Sequence, residues 1–190
     1  MYVFVSGPPT AGKSHLVNEF ITQSDYDILH IKLDDLREDL KNDPNMNKWV
    51  NFFRNLDPTK YWQKNTPEDH IKNIIMQARA LWPEILIKMK QKMHSDKQII
   101  FEGVSVIPEL ASKFLDFPGF YLVPTDVETI YNRLLAHSRW GKTNDLKRKE
   151  AIAFYEEGKK LFGDNAREYG YKVFTDSDEA ALELSKIFNV

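Results

Sequence analysis

Gly7-Pro8-Pro9-Thr10-Ala11-Gly12-Lys13-Ser14 stands directly behind the apolar run Tyr2-Val3-Phe4-Val5 and ahead of His15-Leu16-Val17-Asn18-Glu19-Phe20. The spacing G-x-x-x-x-G-K-S suits phosphate chemistry. Its glycines let the chain turn tightly enough for successive backbone N–H groups to converge on one anion, and the positive end of the following helix adds to the pull. Lys13 is expected to reach the β and γ phosphates of a nucleotide. The Ser14 hydroxyl is expected to hold Mg²⁺, a hard ion that keeps much of its water shell and bridges phosphate oxygens. Gly7 through His15 form the expected nucleotide-binding set; the plainer reading is a Gly/Pro-rich turn.

Further candidates are acids and arginines that could work beside a triphosphate. One group is Leu33-Asp34-Asp35-Leu36-Arg37, and another is Phe101-Glu102-Gly103. A carboxylate there can take a proton from an attacking hydroxyl or hold Mg²⁺ through water, and an arginine three residues away can clamp an anionic substrate. Asp34 and Arg37 suit base and clamp, with Asp35 the more cap-like of the two acids, since Asp also favours helix N-caps. Glu102 suits the metal. Phosphoryl transfer also needs positive charge around the migrating group and exclusion of water. Arg133 and Arg139, followed by Trp140-Gly141-Lys142 and by Lys147-Arg148-Lys149, could supply both as a lid over about 138–149, with Gly141 as hinge. The same basic residues are also ordinary partners of a helix C-terminus.

These residues need a scaffold that brings them to one edge. Five short apolar segments, at 2–6, 27–33, 98–102, 119–123 and 171–175, are each followed by a helical pattern, which predicts a parallel sheet covered on both faces. In such a sheet ligands bind outside the C-terminal strand ends, where the candidates fall. Thr66-Pro67-Glu68-Asp69 marks a helix start and Thr125-Asp126-Val127-Glu128 reads as a capping box. Apolar residues from Ile71 to Met93 at spacings of three and four predict one long helix kinked at Pro83. His70 and Gln77 are read as its surface. In the irregular stretch from Asp43 to Asn65, Trp49, Phe52, Phe53 and Leu56 fall at helical spacing and are read as core. Arg54, Lys60, Tyr61 and Trp62 are the candidates for touching a substrate.

The chain has 190 residues, enough for one domain, with Lys+Arg 26 against Asp+Glu 28 and no cysteine. The formal charge of −2 gives no overall field for nucleic acid or anionic membrane, and disulfides and Cys-based zinc sites are excluded. No apolar run reaches 18 residues and the chain opens without a charged-then-apolar signal, so a cytoplasmic protein with no membrane partner is expected.

In this order and spacing, Gly7 to Ser14, Asp34-x-x-Arg37, Phe101-Glu102-Gly103, Arg133 with Arg139, and Val173-Phe174-Thr175 resemble the P-loop kinases of the nucleoside-monophosphate-kinase group. The resemblance implies an α/β P-loop three-layer sandwich over residues 1–190, a five-stranded parallel sheet of order 2-3-1-4-5, a lid, and an acceptor-binding region at about 41–66. It also implies Mg-ATP as donor, a small-molecule acceptor and Asp34 as base. The Asp34 to Arg37 segment is similar to polynucleotide kinases and to 2-phosphoglycerate-kinase-like proteins, and Glu102 to Pro108 is closer to the latter. Two departures stand out. Val104, Ser105 and Val106 follow Gly103 where nucleotide kinases place a phosphate-gripping arginine, and the lid arginines are six apart where four is usual.

Other classes fit less well. A GTPase would carry N-K-x-D, which is missing, and a motor ATPase would pair acids after the third strand. A regulatory nucleotide binder is opposed by the presence of Lys13, Ser14, Asp34 and Glu102 together. A polynucleotide 5′-hydroxyl kinase needs only a local basic channel, although the near-neutral charge speaks against nucleic acid.

Overall fold

A computed structural model describes residues 1–93 and 96–189. Strands β1 (Tyr2–Ser6), β2 (Ile28–Lys32), β3 (Gln98–Glu102), β4 (Gly119–Leu122) and β5 (Lys172–Phe174) form one parallel sheet in the order β2-β3-β1-β4-β5. Architecture and strand order are those expected. β2 ends one residue early because Leu33 already belongs to the helix that follows. The register sets the site: Val5 of β1 and Lys32 of β2 both lie opposite Glu102 of β3. The loop after β1, the turn after β2 and the Glu102 carboxylate therefore leave the sheet at one level.

Alternation along the strands divides the core between two faces. Phe4, Ile31, Phe101 and Tyr121 pack with α5 (Pro67–Lys92) and α6 (Pro108–Phe114) on one side. Val3, Val5, Ile100, Phe120 and Leu122 pack with α1 (Lys13–Gln23) and α10 (Ser177–Phe188) on the other. Between β2 and α5 lie the short helices α2 (Leu33–Glu38), α3 (Asn47–Val50) and α4 (Pro58–Lys64). α7 (Val127–Ala136) and α8 (Asn144–Lys159) follow β4, and a π-helical segment, Lys160–Asn165, and α9 (Ala166–Glu168) lead to β5.

Thr66 caps α5 in a reciprocal box with Asp69, as the sequence predicts. α7 differs by one residue: Asp126 is the cap, its carboxylate accepting from Thr129 N–H, while the Thr125 hydroxyl donates to Asp126. Asp126 stands at the cap position itself and its charged carboxylate reaches the third helical N–H directly, which leaves the Thr125 hydroxyl a supporting role. α5 is continuous across Pro83 because buried Leu81, Trp82 and Ile85 on either side anchor it to the sheet, offsetting the one hydrogen bond that proline removes. Leu81 has no exposed surface. Leu81→Ala is expected to cost about 2–5 kcal/mol of stability, read from urea unfolding.

Candidate active site

A cleft of about 940 Å³ runs along the C-terminal strand ends. Its floor is the loop between β1 and α1. Gly7 has φ of +145°, and a Cβ there would lie 2.0 Å from the Leu122 carbonyl oxygen, so the sheet itself requires glycine. Lys13 opens α1 and is buried, its ammonium donating to the Gly7 and Pro8 carbonyls at 3.0 and 2.8 Å. Two of its three donors thus hold the loop's shape, leaving one for a phosphate oxygen. Burial pulls this ammonium below the usual lysine range, against the Glu102 and Asp34 carboxylates, which favour its charge.

Ser14 donates to Glu102 Oε2 at 2.8 Å, which brings together the two expected metal-holding groups. Burial alone would push the Glu102 carboxyl up, but His30, Lys13 and Ser14 together hold it below the usual carboxylate range. His30 on β2 reaches Glu102 with Nε2 at 3.5 Å and Asn18 with Nδ1 at 3.2 Å, so it orients the carboxylate from behind. Among the described residues no cluster of three metal-ligating side chains occurs. One hydroxyl and one ionised carboxylate fit Mg²⁺, which takes few protein ligands and completes its shell with water and phosphate, and they suit no ion that needs a protein cage.

Asp34 and Arg37 lie on α2 at the cleft wall and pair with each other at 3.3 Å. Asp35 is exposed and off the cleft, and neither acid caps α2, whose cap position is Lys32. Arg133, in the last turn of α7, donates to the Thr10 carbonyl and so sits over the phosphate loop. Arg139 lines the cleft from the loop after α7, and Thr10, Gly12 and exposed His15 lie at its rim. Pro8 and Ala11 shape the loop without lining the cleft, whereas Pro9 does line it.

Several expectations need correction. Lys147 is buried away from the cleft and Arg148 pairs with Glu128 at 2.6 Å, because the face that α8 turns to the cleft carries Glu150 and Phe154. Gly141 is no free hinge: a Cβ there would lie 2.8 Å from Leu146 Cβ, so this glycine serves the close approach of the loop to α8. Tyr61 and Trp62 are buried in an aromatic cluster with Trp140 and do not line the cleft, nor does Lys60. Arg54 does, already bonded to Glu38. Phe53, read as core, does pack against two core clusters and also lines the cleft, whereas Leu56, read as core, is exposed.

His70 and Gln77, read as surface, are buried and line the cleft. The signal was in the spacing: His70 falls four before Ile74 and Gln77 four before Leu81, on the apolar stripe itself. Gln77 donates to the Trp49 carbonyl, and His70 meets Tyr61 through Nδ1 at 3.1 Å and Glu157 through Nε2 at 3.5 Å. Glu150 and Phe154 on α8 complete the wall. Both sit in an Ala-rich amphipathic segment, where a glutamate beside Ala151 and Ala153 marks a buried acid.

With this geometry in view, two solved structures resemble the chain. TT1252 from Thermus thermophilus matches with a TM-score of 0.57 at 16% identity, covering 100% of this chain and 97% of the other. Shikimate kinase from Bacteroides thetaiotaomicron matches with a TM-score of 0.51 at 14% identity, covering 100% and 99%. The chain has the α/β fold of P-loop kinases. No protein-family model matches it, and no curated protein is significantly similar in sequence.

Proposed function

We propose that this protein is an ATP-dependent phosphotransferase that moves the γ-phosphate of Mg-ATP to a hydroxyl or phosphate of a small molecule. The observation that carries the reading is one cleft in which the phosphate loop, Lys13 and the Ser14–Glu102 pair face Asp34 and Arg37. Its volume of about 940 Å³ suits a nucleotide triphosphate tail with a second small molecule rather than a macromolecule. The fold shared with a shikimate kinase supports the same reaction class.

Bound Mg²⁺ would supply charge neutralisation at the β and γ oxygens. Ser14 and Glu102 would hold that ion, and Lys13 would compensate the charge that spreads over the transferring group. For a hydroxyl acceptor, Asp34 takes the proton as the acceptor oxygen bonds to the γ-phosphorus and the bond to the ADP oxygen breaks. Arg37 pairs with Asp34 and holds it in place, and Arg133 lies over the loop that holds the phosphates. Of residues 138–149, Arg139 and Trp140 line the cleft, and these two side chains exclude water during transfer. No helix among the described residues is long and apolar enough to cross a membrane.

ATP consumption by the purified protein with Mg²⁺, with and without phosphoglycerates, sugars, nucleosides, nucleotides and 5′-hydroxyl oligonucleotides, tests this. Turnover stimulated by a small-molecule acceptor, with its phosphorylated product detected, is the expected result. Tight ATP binding with no acceptor-dependent turnover would point to a regulatory nucleotide binder, and stimulation by oligonucleotides alone to a polynucleotide kinase.

A further inference from the structure

The acceptor end of the cleft carries an acid that the phosphotransfer scheme does not use. Glu150 lines the cleft from α8 with 0% of its surface exposed, and neither carboxylate oxygen has a hydrogen-bond partner. The backbone N–H groups of Gly141 and Trp140, the Arg139 guanidinium and His70 lie near enough to favour its charge. Burial outweighs them and pushes the carboxyl above the usual range. A buried carboxylate without a partner is costly, and a cation is what offsets it best. Two other cations of the cleft wall are already matched, Arg37 with Asp34 at 3.3 Å and Arg54 with Glu38 at 2.9 Å, while Arg139 lines the cleft from the loop after α7.

The surroundings of Glu150 favour a cation independently. Phe53, His70, Trp140 and Phe154 line the same wall, with ring centroids 5.3 Å apart for Phe53–His70, 6.1 Å for Phe53–Trp140 and 5.9 Å for His70–Phe154. Aromatic rings that share a cleft wall with a carboxylate offer negative ring faces and a counter-ion, which attract an ammonium group more than a neutral hydroxyl. Resting on the kinase reading above, we propose that the acceptor is a hydroxylated amine: its cationic nitrogen lies among Phe53, Trp140 and Phe154 with Glu150 as counter-ion, and its hydroxyl reaches Asp34. An acceptor held by a phosphate or carboxylate would leave Glu150 unmatched.

Calorimetry with Mg²⁺ and a non-hydrolysable ATP analogue, on ligand pairs that differ in the charged nitrogen, tests the assignment. Suitable pairs are glucosamine against glucose, streptamine against scyllo-inositol, and choline against its uncharged carbon isostere. At least one amine is expected to bind about tenfold or more tighter than its partner, in keeping with cation–π attraction at a desolvated site. Glu150→Gln is expected to abolish that preference while ATP binding and Tm hold or Tm rises, since an unmatched buried charge is removed. Phe53→Leu, which removes the half-buried ring but keeps an apolar side chain against the core, is expected to weaken the same preference, with Tm measured alongside.

The proposal is overturned if no pair favours the amine, or if Glu150→Gln lowers Tm and leaves the preference intact, because Glu150 would then only brace the Trp140–Gly141 loop. Amine-selective binding without phosphoryl transfer would keep this subsite and overturn the kinase reading. Transfer to uncharged or phosphorylated acceptors, unaltered in Glu150→Gln, would keep the kinase and overturn the subsite.

Discussion

Lys13→Ala is expected to lower kcat/KM by at least a hundred-fold to a thousand-fold, about 3–4 kcal/mol of transition-state stabilisation, as removal of one preorganised charge donor does. The size of the effect follows from where this ammonium sits. It is buried, is held at two loop carbonyls by hydrogen bonds of 3.0 and 2.8 Å, and has the Glu102 and Asp34 carboxylates near it. Charge on the transferring group would be met there by a fixed cation in a site with little water, where each electrostatic contact counts for more than in solution. The loss should fall mainly on kcat, because the backbone N–H groups of the loop still cradle the nucleotide. Equal loss of ATP binding and turnover, with circular dichroism unchanged, would instead assign Lys13 to uniform binding. Substantial residual transfer would contradict the role given to it.

Asp34→Asn is expected to spare ATP binding and reduce acceptor-dependent turnover by about 10²–10⁴, the usual contribution of a general base. Asparagine keeps the shape and can still accept from Arg37, so the wall of the cleft is preserved while the proton acceptor is lost. The control is Asp35→Asn: that residue is exposed and off the cleft, and its replacement is expected to leave kcat and KM near those of the unaltered protein. Single-turnover transfer, with nucleotide affinity measured separately, checks both variants. Full turnover in Asp34→Asn would remove the base assignment and leave Asp34 as the partner that orients Arg37.

Much of this arrangement was legible before any coordinates. The strands announced themselves because buried parallel strands read as short apolar runs, and each C-terminal end then exposed its chemistry in sequence: Gly7 to Ser14, Asp34 with Arg37, and Glu102. The pairing of Ser14 with Glu102 comes from the neighbouring strands β1 and β3, where Val5 lies opposite Glu102, together with the phosphate loop that returns α1 over the end of β3. The wall opposite Asp34 was not legible. His70 and Gln77 read as surface because polar residues on a long helix are normally solvated, yet α8 packs across that face of α5 and buries them. Tyr61 and Trp62 read as substrate contacts because they fall off an apolar stripe, yet Trp140 and Ala153 cover them.

What the sequence determined by itself was thus the part of the molecule built from contiguous residues. A phosphate loop needs its glycines, lysine and serine within eight positions, and a strand needs only its own short apolar run. Tertiary structure alone decided which face of α5 meets α8, and so which of the polar residues at 70, 77, 150 and 157 became buried. Helix periodicity tells which residues share a face, whereas the partner of that face is set by packing between segments about 80 residues apart. Glu150 shows the difference most clearly: in sequence it is one acid in a charged helix, and in the fold it is a buried carboxylate without a partner at the edge of the cleft.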